Sequence, residues 1–128
     1  MSTLAPIRVV LADDEGDVRA LLGITLGLEN NHYAVVGEAA NGQQAVDIVD
    51  HEHPDAIVLD LLMPVMGGME AIPKIRRCSP DTKIVIFSAV ADEMSDEAMA
   101  AGADAFVQKT KFMTELSETL QRVCHIAA

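Results

Sequence analysis

Asp13, Asp14, Asp60, Ser88 and Lys109 are the residues whose types and positions could do chemistry. Each stands at the end of a short apolar run. Asp13-Asp14 follow Ile7–Ala12, Asp60 closes Asp55–Asp60 (DAIVLD), Ser88 follows Thr82–Phe87, and Lys109 follows Asp104–Gln108. Singly each is unremarkable, because strand ends are often polar. Together they put three carboxylates, a hydroxyl and an ammonium on one rim. Two carboxylates about 4 Å apart repel by roughly 4 kcal/mol at an effective dielectric near 20, so three of them need cations. Lys109 supplies one positive charge. A hard divalent ion such as Mg²⁺, which takes carboxylate and phosphate oxygens and keeps some waters, would supply the rest. It would also neutralise incoming phosphate oxygens and let an Asp attack phosphorus, giving an aspartyl-phosphate. A structural ion, or an acidic rim without chemistry, is the alternative these residues leave open.

Apolar runs alternate with helical patterns from end to end of the chain. After the first run, Val18, Leu21, Leu22, Thr25 and Leu28 recur at helical spacing, and acidic residues stand where a helix N-terminus favours them. Tyr33–Glu38 reads as a second strand, and Asn41 as the N-cap of a helix that turns Ala45, Ile48 and Val49 inward. The unbroken apolar middle of Asp55–Asp60 suits a strand covered on both faces. Met63–Gly68 reads as a loop, followed by a helix with Met69, Ile72 and Ile75 on its inner face. Pro73 lies inside that helix and predicts a delayed start or a kink. Asp92 to Ala101 forms an Ala-rich helix closed by Gly102, and the last helix runs from about Lys111 to Val123 with Phe112, Leu116, Leu120 and Val123 on one face. Five strands alternating with five helices predict an α/β, doubly wound, five-stranded parallel sheet. In such sheets ligands bind beyond the carboxyl ends of the strands, where these residues lie.

Composition narrows the function. The chain has 128 residues, half of them hydrophobic and 23% charged, which fits one domain over 1–128 and excludes a disordered tail. Nine basic against twenty acidic residues give a net charge of −11, which argues against contact with DNA, RNA or anionic lipid. Cys78 and Cys124 lie far apart without metal-ligand spacing and read as ordinary thiols of a reducing compartment. Met1 to Pro6 lacks the features of a signal peptide, and the longest apolar stretch, Ala56 to Met66, is too short to span a bilayer. The expectation is a soluble, cytoplasmic protein.

The segments Val10–Glu15 (VLADDE), Ile57–Gly68 (IVLDLLMPVMGG) and Ile86–Ala89 (IFSA), with the late Lys109, resemble the receiver domains of bacterial two-component response regulators. The likeness runs from about Ile7 to Val123. Val35–Gly42 (VVGEAANG) is similar to the NarL/LuxR-type subfamily, usually a receiver followed by a helix-turn-helix output domain. The resemblance implies the flavodoxin-like, CheY-like sheet order 2-1-3-4-5. It implies that Asp60 accepts a phosphoryl group from a phosphohistidine of a sensor histidine kinase. It implies Mg²⁺ held by Asp14, Asp60 and the backbone carbonyl of Leu62, with Asp13 acting through water. Ser88 and Lys109 would each bind a phosphoryl oxygen, and Phe106 takes the place of the switch aromatic beside Ser88. The implied protein is no enzyme beyond its own phosphorylation and dephosphorylation. It would signal through its fourth helix, fifth strand and fifth helix, homodimerise on phosphorylation, and control transcription through an output domain absent from this chain or omitted.

The family usually has Lys-Pro where Lys109-Thr110 stands, with a cis peptide between them; a trans bond is expected here because a cis bond to a non-proline residue costs about 3–4 kcal/mol. Leu62 and Val90, two residues beyond Asp60 and Ser88, are apolar and are expected to keep water from an aspartyl-phosphate. Other readings fit less well. A haloacid-dehalogenase-type phosphatase needs D-x-D after its first strand, where Asp13 and Asp14 are adjacent. A flavodoxin needs a neutral phosphate loop there, and a receiver-like interaction module would have lost one of the site residues. His51 and His53 lack a third metal ligand nearby.

Overall fold

A computed structural model describes residues 5–28, 32–89 and 93–125, with residues 93, 111–114 and 125 by their backbone alone. The elements alternate as β1 (Ile7–Ala12), α1 (Gly16–Gly27), β2 (Tyr33–Ala39), α2 (Gly42–Glu52), β3 (Ala56–Leu59), α3 (Gly68–Cys78), β4 (Lys83–Ser88), α4 (Glu93–Ala101), β5 (Ala105–Gln108) and α5 (Phe112–His125). A single 3₁₀ turn over Lys109–Lys111 joins β5 to α5. The strands form one parallel sheet in the order β2-β1-β3-β4-β5.

Alternation along each strand divides the core in two. Val10, Ile57, Leu59, Ile84 and Ile86 pack on α2, α3 and α4. Val9, Leu11, Val58, Val85 and Phe87 pack on α1 and α5. Every residue of β3 is buried, as a strand covered on both faces requires. Asn41 caps α2, its side chain accepting the Gln44 N–H at 2.8 Å. Ala45 and Val49 are buried and Ile48 packs beside them, as the spacing predicts.

Helix α1 departs from expectation. Leu22 and Leu26 are its buried residues, whereas Leu21 is 50% exposed and Leu28 75% exposed. Leu21, Ile24 and Leu28 form one apolar stripe and Leu22 and Leu26 another beside it, so spacing alone admits two inward faces. The sheet takes the one carrying Leu22 and Leu26, and leaves Leu21, Ile24 and Leu28 on the outer side.

Pro73 brings no delayed start, because α3 begins at Gly68 directly after the loop. The ring lies on the exposed face of the helix, opposite the buried Ala71, Ile72 and Ile75. Proline supplies no N–H there, so the carbonyl one turn back loses its helical partner. Asp92, expected to open the fourth helix, lies outside the described residues. Gly102 closes that helix with a left-handed φ of 124°. Leu116 and Leu120 are buried on α5 and Val123 packs beside them, while the side chain of Phe112 lies outside the described residues.

Candidate functional site

The carboxyl ends of β1, β3, β4 and β5 converge on one rim. Asp13 leaves β1 with its N–H donating to the Ala39 carbonyl at 3.0 Å, while its Oδ1 accepts the Glu15 N–H at 2.9 Å. Asp60 leaves β3 with its N–H donating to the Ala12 carbonyl at 2.9 Å, which ties the two strand ends together. Both aspartates are almost fully buried, and Ser88 at the end of β4 is completely so.

The Ser88 hydroxyl donates to Asp60 Oδ1 at 2.9 Å, and the Leu62 N–H approaches the same oxygen at 3.3 Å. Lys109 Nζ donates to Asp60 Oδ2 at 3.1 Å. That ammonium also stands 2.8 Å from Asp13 Oδ2 and 3.9 Å from Glu15 Oε1, so one cation serves three carboxylates. Burial alone would lower the Lys109 pKa, but the carboxylates of Asp13 and Asp60 outweigh it and hold the ammonium above the ordinary lysine range. Among the described residues every peptide bond is trans, Lys109–Thr110 included, and the 3₁₀ turn still delivers Lys109 to Asp60.

The loop after Asp60 is fixed by close backbone approach. The Gly68 N–H donates to the Leu61 carbonyl at 2.8 Å, and the Gly42 N–H to the Met66 carbonyl at 2.7 Å. A Cβ at Gly68 would overlap the carbonyl oxygen of Asp60, and one at Gly42 would overlap that of Met66. Only glycine lets α3 and α2 begin so close to the loop. Between them Val65 takes a left-handed φ of 67° and is highly exposed.

The open cleft over this rim, about 270 Å³, is lined by Asp14, Glu15, Asp60, Leu62, Ser88, Ala89 and Lys109. The carboxylate oxygens of Asp13, Asp14 and Glu15 lie within 4.8 Å of one another. Asp13 Oδ2 is buried and, although ion-paired with Lys109, accepts no hydrogen bond of good geometry. A buried, under-coordinated carboxylate oxygen beside two exposed carboxylates suits a hard cation with retained water.

All five residues singled out by chemistry therefore meet at one place. Phe106 stands one layer away, paired in register with Ile86 and packed against the cluster under α2, α3 and α4. Leu62 lines the cleft with 61% of its surface exposed, and Val90 lies outside the described residues. Glu15 stands in the acidic run of the sequence without a site role of its own, and Arg19 is not singled out there at all. Glu15 directly follows the Asp pair and joins the acidic cluster, while Arg19 donates to the Asp13 carbonyl at 2.6 Å from one turn into α1.

Known proteins share the fold that carries this rim. The family described as "Response regulator receiver domain" matches residues 9–121. The chain is 35% identical over 117 residues to the chemotaxis protein CheY of Thermotoga maritima, covering 91% of this chain and 96% of that protein. It is 34% identical over 124 residues to the nitrate/nitrite response regulator NarL of Escherichia coli K12, covering 95% of this chain but only 56% of NarL. The crystal structure of a LuxR-family two-component response regulator from Aurantimonas superposes with a TM-score of 0.84 at 32% identity, covering 94% of this chain and 86% of that one.

Proposed function

The chain belongs to the response regulator receiver domain family, and from that premise we propose that it accepts a phosphoryl group on Asp60 and passes the signal to a partner or output domain. The observation that carries the proposal is the pairing around Asp60. One oxygen meets the Ser88 hydroxyl and the Leu62 N–H, the other meets Lys109, and the whole group opens onto the cleft.

The donor is a phosphohistidine of a sensor histidine kinase. An Asp60 carboxylate oxygen attacks phosphorus, the new O–P bond forms as the N–P bond breaks, and the imidazole leaves and takes up a proton. Lys109, kept charged by its carboxylates, pairs with a phosphoryl oxygen, and Ser88 donates its hydroxyl to another. Asp14 and Asp60, the Leu62 carbonyl and Asp13 through water are the proposed holders of Mg²⁺, joined by Glu15 at the cleft edge. When bound, Mg²⁺ neutralises the phosphoryl oxygens and offsets the carboxylate excess.

A phosphoryl group shifts populations only by interacting differently with two states. The Ser88 hydroxyl donates a hydrogen bond to Asp60; drawn to the phosphoryl group, it vacates space toward which Phe106 can turn. Among the described side chains of α4, Ala98 alone is fully buried, so the helix is weakly held and suits a movable element. The changed surface would be α4, β5 and α5, and a homodimer of phosphorylated chains would form through it.

The reading takes residues 1–128 as one receiver unit. A DNA-binding output of the LuxR type would belong to the full-length protein, with no nucleic-acid contact by this domain. Among the described residues no helix is long and apolar enough to cross a membrane, and we place the protein in the cytoplasm beside its kinase. Treatment with acetyl phosphate and Mg²⁺ tests the core of the proposal. Intact-mass spectrometry should show one added phosphate on the native chain and none on Asp60→Ala. Equal labelling of the two would overturn it.

A further inference from the structure

Arg19 holds the acidic loop from outside the cleft. Its Nη1 donates to the Asp13 carbonyl at 2.6 Å, and its Nε donates to Glu38 Oε1 at 3.0 Å. Glu38 precedes Ala39 on β2, and Ala39 accepts the Asp13 N–H at 3.0 Å. The peptide groups on both sides of Asp13 are thus fastened to neighbouring residues of β2, one directly and the other through the guanidinium. Glu15 N–H on Oδ1 fixes the side chain as well. The remaining oxygen, Oδ2, is ion-paired with Lys109 at 2.8 Å and accepts no hydrogen bond of good geometry.

The position of Arg19 is unexpected for helix stability. It lies in the opening part of α1, where the backbone N–H groups already concentrate positive charge and acidic side chains are the favourable ones. Its guanidinium also lies near Gly16, with Nη2 3.6 Å from where a Cβ would be. A cation here works against the helix and, by simple Coulomb attraction and repulsion, against any metal ion drawn to Asp13, Asp14 and Glu15.

We propose that Arg19 is a positioning residue for the metal site, bracing the Asp13 carbonyl against Glu38 so that the three carboxylates converge on one cation. This rests on the reading that the cluster holds a divalent ion. Lysine cannot replace it, because a single ammonium cannot present separate, rigidly spaced donors to a carbonyl and a carboxylate.

The test turns on the sign of an effect. If Arg19 were only a nearby charge, Arg19→Gln would remove repulsion and tighten Mg²⁺ binding, and Arg19→Lys would leave it unchanged. Acting as a brace, both substitutions should weaken Mg²⁺ binding by about tenfold, as loss of an outer-shell partner does at other metal sites. Titration of Mg²⁺ into ¹⁵N-labelled native chain, Arg19→Gln and Arg19→Lys, followed by amide shifts of residues 13–15, gives the three affinities. Amide exchange of Glu15 in chelator should be faster in both variants, a readout that needs no metal. Tighter binding by Arg19→Gln, unchanged binding by Arg19→Lys, or unchanged exchange of Glu15 would overturn the proposal. Absence of Mg²⁺ binding by the native chain would instead overturn the metal reading, with the exchange result still judging the brace.

Discussion

The two ends of the sheet treat charge in opposite ways. At the amino ends of the strands Arg8 and Arg76 each have their own carboxylate and a set of carbonyls. Arg8 meets Glu52 at 2.8 Å and donates to the carbonyls of Glu52 and His53. Arg76 meets Asp104 at 2.7 Å and donates to the carbonyls of Pro80, Thr82 and Gly102. Even the buried hydroxyls form a closed chain, in which Thr82 donates to the Pro54 carbonyl and so leaves Ser79 to donate to Thr82. At the carboxyl ends a single ammonium is shared among Asp13, Glu15 and Asp60. The amino end is satisfied as it stands and holds loops in place. The carboxyl end lacks positive charge, and that deficit is the room a dication needs.

The contrast can be broken first at its satisfied end. Arg76→Ala removes the ion-pair partner of Asp104, which keeps the Ile84 N–H, and takes the donor from three carbonyls where α3, α4 and β5 meet. It should destabilise the chain by about 2 kcal/mol, seen as a Tm lower by about 8 °C. A loss below one degree would show that this end is not the structural one.

At the other end, adding a cation should help rather than hurt. Mg²⁺ at about ten times its dissociation constant should stabilise the native chain by about 1.4 kcal/mol through mass action. Asp14→Ala should abolish that response. A native melting curve indifferent to millimolar Mg²⁺ would show that the acidic end needs no ion.

A smaller effect is kinetic and concerns the apolar edge of the cleft. Leu62 offers nothing to orient a water in line with the phosphorus, so the phosphorylated chain should be long-lived. A positioned polar group is worth about 10²–10⁴-fold in a closed site and less in an open one. Leu62→Asn should therefore speed decay of the phosphoprotein by about threefold, measured by loss of mass after the phosphodonor is removed. Unchanged decay would free Leu62 of any part in water access.

The least disruptive probe is the thiol of Cys124, in a cavity at the amino end lined by Ile7, Asp55, Asp81 and Lys83 among others. Burial, reinforced by Asp55, pushes its pKa from 9.0 up to about 11. The folded state thus holds the proton more tightly than the unfolded one. The corresponding stability is complete below pH 9 and is lost as pH rises through about 11. Iodoacetamide labelling should follow that higher midpoint in the native chain and the ordinary one in denaturant. A native midpoint near 9 would mean that this cavity is wet.

The sheet and its rim were legible in the sequence because a strand run and the polar residue at its end are local features. β1 matches its predicted bounds, and the other strands differ by one residue at an end or at both. The inward face of α1 was not legible, since adjacent leucines at 21 and 22 point about 100° apart, either can turn inward, and only contact with the sheet decides. The delayed start expected from Pro73 does not occur, because the first residue of α3 is placed by the Gly68 N–H on the Leu61 carbonyl, a contact that the residues around the proline do not show. Asp13, Asp60, Ser88 and Lys109 could be found as strand-end residues. Arg19 could not, since its partners are a main-chain carbonyl and a glutamate 19 positions away.

Gly68 and Gly23 look alike on paper and have opposite mutational fates. At Gly23 a methyl group would meet nothing within 4 Å, and alanine in a helix interior is worth up to about 1 kcal/mol over glycine. At Gly68 the same methyl would strike the main chain of Asp60 and Leu61. Neither partner is a side chain that can step aside. A survey of random variants would find position 23 permissive and position 68 closed to every other residue. Position 68 would then be as intolerant as position 60 without ever touching a phosphoryl group. Intolerance there would report the shape of the floor beneath Asp60, not a role in the chemistry proposed for it.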